Sequence, residues 1–175
     1  MEFKFVDPVE DFSNGLVALK TYHEDILQTG EKLLKLVDEI KQQGMNEDFA
    51  IQCMNLYCYY DHANLLHHQD EEQALFPLLI GKSPLIDGMM ERLILDHEEI
   101  EKAWGLLAEK LSKPELINNY DELVHLAKDF EKQQREHLTR EDEDFSPKVK
   151  EVIDDGQIKQ VGRKMAQLRN LDVGK

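Results

Sequence analysis

His67 and Glu71 stand four residues apart, as do His137 and Glu141, and two more histidines sit in matching company, His23-Glu24-Asp25-Ile26 and His97-Glu98-Glu99-Ile100. Residues four apart share one face of a helix, so each His/Glu pair presents an imidazole and a carboxylate in the same direction. Neutral imidazole nitrogens and carboxylate oxygens are ligands for iron, manganese or zinc. Two carboxylates are enough to bridge a pair of such ions while coordination positions stay open. Six ligands exceed what one tetrahedral zinc takes. The chemistry these residue types point to is metal-ligand exchange rather than acid–base catalysis, and no catalytic side chain is assigned.

The groups also recur. His67, Glu71, Glu72 and Pro77 correspond to His137, Glu141, Asp142 and Pro147 at a constant offset of 70, and His23 corresponds to His97 at an offset of 74. A helical hairpin used twice would relate two sets of ligands by an approximate two-fold axis.

The elements that must position these residues are helices. Apolar residues recur at three- and four-residue steps through four long segments, with no sustained two-residue alternation. The first helix is predicted to start after Asp7-Pro8 and to end at Gly44, with the stripe Leu16, Leu19, His23, Ile26, Gly30, Leu33, Val37, Ile40. The second begins near Asn46 and stops at Gly81, kinked by Pro77; its inward face includes Cys53, Tyr60, His67, Glu71 and Ala74. Ser83-Pro84 opens the third, with Leu93, His97, Ile100 and Trp104 inward. Ser112-Lys113-Pro114-Glu115 has capping-box spacing and is predicted to open the fourth, whose stripe includes Leu123, Phe130, Gln134, His137, Glu141 and Phe145.

Short connections between long helices favour antiparallel neighbours, so the fold class is all-α, an up-down-up-down antiparallel four-helix bundle with a short C-terminal helix. Residues 1–155 form the bundle, and 156–175 form a helical tail, marked by Ile158, Val161, Met165 and Leu168, packed on it.

These stripes are apolar except for the histidines, the two glutamates, Gly30 and Gln134. Buried carboxylates require a partner or a metal, because desolvating an isolated charge costs several kcal/mol or more. The metal-ligand candidates are therefore His23, His67, Glu71, His97, His137 and Glu141. Histidines that merely hydrogen-bond to carboxylates are the plainer account, against which stands their register across both repeats. His68 and Glu72 are also four apart, but their register holds Asp61 and Asn64, and Leu138 stands where His68 would repeat. His68 is thus read as a solvated or supporting residue rather than a ligand. Glu101, at the margin of its stripe, is either a ligand or an exposed charge. His62 and His125 fall outside the stripes, and Tyr60 and Trp104 are read as core aromatics.

With 175 residues the chain is the size of one domain, and its 36 acidic against 21 basic residues give a net charge of −15. That field repels phosphate backbones and anionic membrane surfaces, which argues against nucleic-acid and membrane partners. The start, Met1 to Pro8, lacks the basic and apolar pattern of an export signal, no later stretch has the length of a membrane span, and a cytoplasmic location is expected. Cys53 and Cys58, five apart, match neither a redox pair nor a zinc knuckle and are expected as free thiols.

At these residues the sequence resembles the haemerythrin-like, or HHE cation-binding, family, whose second helix typically carries H-H-x-x-E-E-x-x-L-F-P. Here the string runs His67-His68-Gln69-Asp70-Glu71-Glu72-Gln73-Ala74-Leu75-Phe76-Pro77, and the likeness extends over about residues 8 to 150. The resemblance implies a four-helix bundle enclosing two iron ions with an oxo or hydroxo bridge, other divalent metals being alternatives. It implies His23, His67, His97 and His137 as terminal ligands and Glu71 and Glu141 as bridges. The corresponding partner is oxygen, nitric oxide or peroxide, bound or sensed, or iron itself. Oxygen-carrying members place a second histidine one turn beyond the first on the third helix, where this chain has Glu101. A regulatory or interaction module whose stability is set by metal occupancy is the other reading.

Overall fold

The computed structural model describes residues 5–171; the ends of the N-terminal stretch and of the predicted tail, 1–4 and 172–175, lie outside the described residues. Four long helices form the bundle: α1 (Gly15–Gln43), α2 (Glu47–Gln69), α3 (Pro84–Leu111) and α4 (Tyr120–Thr139). Two shorter ones follow, α5 (Ser146–Val152) and α6 (Asp155–Leu168), and no strand occurs among the described residues. Each long helix packs against its two neighbours around a square, α1 beside α2 and α4, α3 beside α2 and α4. This is the predicted all-α bundle.

Two predicted starts are corrected. The first helix begins not after Pro8 but at Gly15, because the Asn14 side chain accepts from the amides of Leu16 and Val17. The Asp7 carboxylate is spent elsewhere, accepting from the amide of Val9 at 2.9 Å and the hydroxyl of Tyr22 at 2.6 Å. The fourth helix begins at Tyr120 rather than at Ser112-Lys113-Pro114-Glu115, which forms a 3₁₀ turn, Pro114–Leu116; the cap is Asn119, accepting from the amide of Glu122. Near Asn46 and at Ser83-Pro84 the helices start as predicted.

Pro77 does not simply kink α2. The helix passes into a π-helical segment, Asp70–Leu75, and a 3₁₀ turn, Phe76–Leu78, before the chain reverses at Gly81 with φ +78°. α4 does the same, passing into a π segment at Arg140–Phe145. The two π segments are 70 residues apart, so the sequence repeat is also a repeat of backbone irregularity. In both, an amide donates five residues back, Phe76 to the Glu71 carbonyl and Ser146 to the Glu141 carbonyl.

The core is divided. One apolar cluster gathers Ile26, Leu33, Tyr60, Ile100, Trp104, Leu123 and Phe130, and a second gathers Leu19, Ala74, Phe76, Leu93, Phe145, Val161 and Met165. The polar positions fall between them on every helix: His23 lies between Leu19 and Ile26, and His97 between Leu93 and Ile100. Gln134, the other polar member of the α4 stripe, donates to Asn64 of α2 at 2.6 Å, and Gly30 leaves room for Glu131, whose Cγ would lie 3.1 Å from an added Cβ.

α6 covers the second cluster, lying against α1 and the first π segment. It approaches so closely that a Cβ on Gly162 would sit 1.9 Å from the Phe12 carbonyl oxygen. Just beyond its end, Arg169 makes a two-pronged ion pair with Asp70, both contacts at 2.7 Å, while its guanidinium lies 4.5 Å over the Tyr22 ring. Asp70 is fully buried, and burial pushes its carboxyl pKa up against the opposing pull of Arg169. Removing one partner of such a pair strands the other charge. Arg169→Ala is expected to cost about 3–5 kcal/mol in chemical unfolding, and less when Asp70→Asn accompanies it.

Candidate metal centre

The structure brings His23 of α1, His67 of α2, His97 of α3 and His137 of α4 to the polar layer, together with Glu71 and Glu141 from the two π segments, and all six are buried. Their potential ligand atoms fall into two groups, His23, His67, Glu71 and Glu141, and Glu71, His97, His137 and Glu141, each with its atoms within 4.8 Å of one another. The glutamates are common to both. Among the close approaches are His67 Nε2 to Glu71 Oε1 at 3.2 Å, His23 Nε2 to Glu141 Oε2 at 3.2 Å, and His97 Nε2 to Glu71 Oε2 at 2.9 Å.

His23 Nε2, both ring nitrogens of His67, His137 Nε2 and both carboxylate oxygens of Glu141 are buried without a hydrogen-bond partner. Proximity without hydrogen-bond geometry means that these atoms face a common centre rather than one another. Orphaned groups of this cost are rare in folded proteins and call for an ion. A cation therefore fits.

The far sides of the rings support the same account. The Nδ1–H of His23 donates to Asp142 Oδ1 at 2.9 Å, that of His97 to Glu72 Oε1 at 2.6 Å, and Nδ1 of His137 faces Asp96 Oδ2 at 3.5 Å. A carboxylate has no proton to give, so Nδ1 carries the hydrogen; with a metal bound, Nε2 would then turn its lone pair to the centre, the usual arrangement of a metal-bound histidine, whereas without metal His97 Nε2 donates to Glu71 Oε2 at 2.9 Å. Glu72 and Asp142 are equivalent in the 70-residue repeat, and each serves the first-hairpin or second-hairpin histidine opposite its own. The π turns set this up, because residues next to each other in sequence, Glu71 with Glu72 and Glu141 with Asp142, reach one ligand cluster from slightly different directions. The offset of 70 between Glu72 and Asp142 is the signal in the sequence that pairs them.

Other predicted positions separate cleanly. His62 and His125 are exposed, and Cys53 and Cys58 are free. Tyr60, Trp104 and Phe130 pack ring against ring, with centroids 5.0 to 5.4 Å apart, in the apolar layer below the site. His68 departs from expectation: it is 3 % exposed, and Asn64 of its register is buried too, while Asp61 and Glu72 are exposed.

The Hemerythrin HHE cation binding domain matches residues 14–149, which takes in all six residues and both π segments. The chain belongs to this family. A protein of Haemophilus influenzae described only as uncharacterized is similar at 24 % identity over 151 residues, covering 85 % of this chain and 86 % of its own. Metal binding by a haemerythrin-like bundle thus has the family and the cluster behind it. No helix among the described residues is long and apolar enough to cross a membrane.

A cleft of about 490 Å³ reaches this haemerythrin-like site from one side, between α1 and the second π segment. His23, Glu71 and Glu141 line it, with Leu19, Leu75 and Phe145 as apolar walls and Lys20 among its lining residues. His67, His97 and His137 are not among the residues that line it.

Without metal, protons take the cation's place. Burial disfavours the charged form of His23, yet Asp142, Glu71 and Glu141 raise its pKa to about 10; His97 is raised likewise, against burial, to about 9 by Glu71 and Glu72. Burial works to raise the pKa of Glu71, but His67, His23 and His97 hold it well below the ordinary 4.5. The stabilisation from the histidines is complete below their ordinary 6.5 and is lost as pH rises through about 9 and 10; that from Glu71 is complete above 4.5 and is lost in acid. The metal-free protein is expected to show its highest melting temperature between these limits, and metal added at pH 7.5 is expected to release protons, measurable with a pH indicator in weak buffer.

Proposed function

We propose that this chain is a non-haem di-iron protein that binds or senses oxygen, nitric oxide or peroxide, or handles iron, through a centre with an oxo or hydroxo bridge. One observation carries the reading: the six buried residues divide into two sets of four that share Glu71 and Glu141. Such a division suits two ions and is wasteful for one. His23 and His67 would hold one ion, His97 and His137 the other, and the shared glutamates would lie between.

Bound there, the pair of ions supplies redox chemistry and exchangeable coordination positions. The residues of the chain do the rest. The glutamates neutralise the ions, and Asp142, Glu72 and Asp96 orient the imidazoles. The apolar layers limit water to the cleft side, where a small ligand would enter beside His23. The preference for iron over other divalent ions rests on a mixed imidazole and carboxylate set with no thiolate, a donor chemistry that manganese also accepts. A cytoplasmic setting accords with two free thiols and an acidic surface.

Anaerobic titration of the metal-free protein with iron(II) is expected to saturate at two ions per chain, and admission of oxygen to produce the near-ultraviolet charge-transfer bands of a bridged ferric pair. Saturation at one ion, or none, would remove the reading. His67→Ala is expected to weaken binding at least tenfold with the bundle still helical by circular dichroism. Exposure of the ferrous protein to nitric oxide separates a gas-binding role from iron handling by the appearance of an iron-nitrosyl spectrum.

A further inference from the structure

The two halves of the site are not equal, and the difference lies at a residue outside the six. His68 is buried, and it presents a ring nitrogen within 4.8 Å of ligand nitrogens of both His97 and His137. Its ring is stacked on that of His97, with centroids 4.0 Å apart and planes at 14°. Its Nε2 is buried with no hydrogen-bond partner, while its Nδ1 faces Glu101 Oε1 at 3.4 Å. That is the arrangement found at His23 and His137: a carboxylate behind Nδ1 and a buried Nε2 with no hydrogen-bond partner on the inner side. A merely structural buried histidine would have both nitrogens satisfied, and a solvated one would not be buried.

We propose that His68 is a third imidazole ligand of the ion held by His97 and His137, and that Glu101 orients it rather than coordinating. The proposal rests on the di-metal reading above and extends it. Glu101 has a side chain 61 % exposed, which suits a residue that braces a ring from the rim and not a ligand in the centre. In the 70-residue repeat the counterpart of His68 is Leu138, buried at 1 % and unable to coordinate, so the ion held by His23 and His67 has no third imidazole. The site is therefore asymmetric: three histidines on the closed side, two on the side that the cleft reaches. Exogenous ligands are thereby directed to the ion beside His23, because a coordination position on the other ion is already filled by His68.

His68→Leu, which copies the residue at the equivalent position of the second hairpin, is the test, with His68→Gln as a second variant should the first fail to fold. Wild-type protein loaded with ⁵⁷Fe and oxidised is expected to show two Mössbauer doublets of equal area and different splitting. In either variant one ion is expected to leave at least tenfold faster to a chelator, and the doublet that remains unaltered belongs to the ion at His23 and His67. Glu101→Gln is expected to give a smaller acceleration in the same phase. If wild type holds two ions and both variants keep both with unchanged doublets and release rates, His68 is not a ligand and the di-iron reading stands. If wild type holds no pair of ions, the earlier reading itself has failed.

Discussion

A dry interior that contains ionised groups must compensate them locally, and the rest of this molecule is arranged around that constraint. Glu71 and Glu141 sit between two apolar clusters, with no more than a few per cent of their surface exposed. Uncompensated, each carboxylate would cost several kcal/mol, more than most single packing contacts return. The compensation available from within the chain is the ring of histidines, whose own burial costs something unless they too are paired. Protons can supply the positive charge, which is why two of the imidazoles titrate so far above their ordinary range. Divalent cations supply it better, because they place the charge at the point on which the orphaned lone pairs converge.

The repeat explains how one chain builds such a point economically, and its lapses explain how the point acquires direction. Both hairpins have His, Glu and a second acid at the same spacing, both turn from α to π geometry at the same place, and the acids Glu72 and Asp142 brace histidines of the opposite hairpin. Three pairs break the symmetry. Asp70 is locked to Arg169 where its counterpart Arg140 instead approaches Asp96 at 3.3 Å. Asp96 stands behind His137, whereas its counterpart in the first hairpin, Tyr22, binds Asp7. His68 is opposed by Leu138. The first two lapses fall where Arg169, just beyond α6, reaches Asp70 and Tyr22 of the first hairpin.

Much of this was legible in the residues alone. Hydrophobic periodicity gave the four helices, and the misfit of histidine and glutamate within those stripes gave the six central residues. What escaped did so for identifiable reasons. Helix starts were misplaced where a proline suggested them, because Asp7 and Ser112 have the residue types of caps while Asn14 and Asn119 hold the positions from which the amides can be reached. The π segments escaped because three- and four-residue periodicity describes α turns only. His68 was misjudged because strict helical periodicity places it a hundred degrees from His67. A helix packed on two sides buries a wider arc than its stripe, and here Asn64 and His68 face α3 and α4 from that wider arc. Arg169 lies 99 residues from Asp70, beyond anything local spacing can signal.

Because every central histidine comes from a different long helix, metal binding and bundle stability are coupled, yet the coupling differs from that of a small domain that folds only around its ion. Two apolar clusters hold the helices in place on either side of the polar layer, and three carboxylate contacts, to His23, His97 and His137, hold ligand rings before any cation arrives. The site is therefore prepared, and little of the binding free energy is consumed in ordering the chain. Preparation of this kind favours exchange of ligands at a fixed centre over a fold-unfold switch, and it favours it most on the cleft side, where His23 borders open space. A device that signalled through wholesale unfolding would need a weaker core than this one; a centre that meets small molecules needs the rigidity that the two clusters provide.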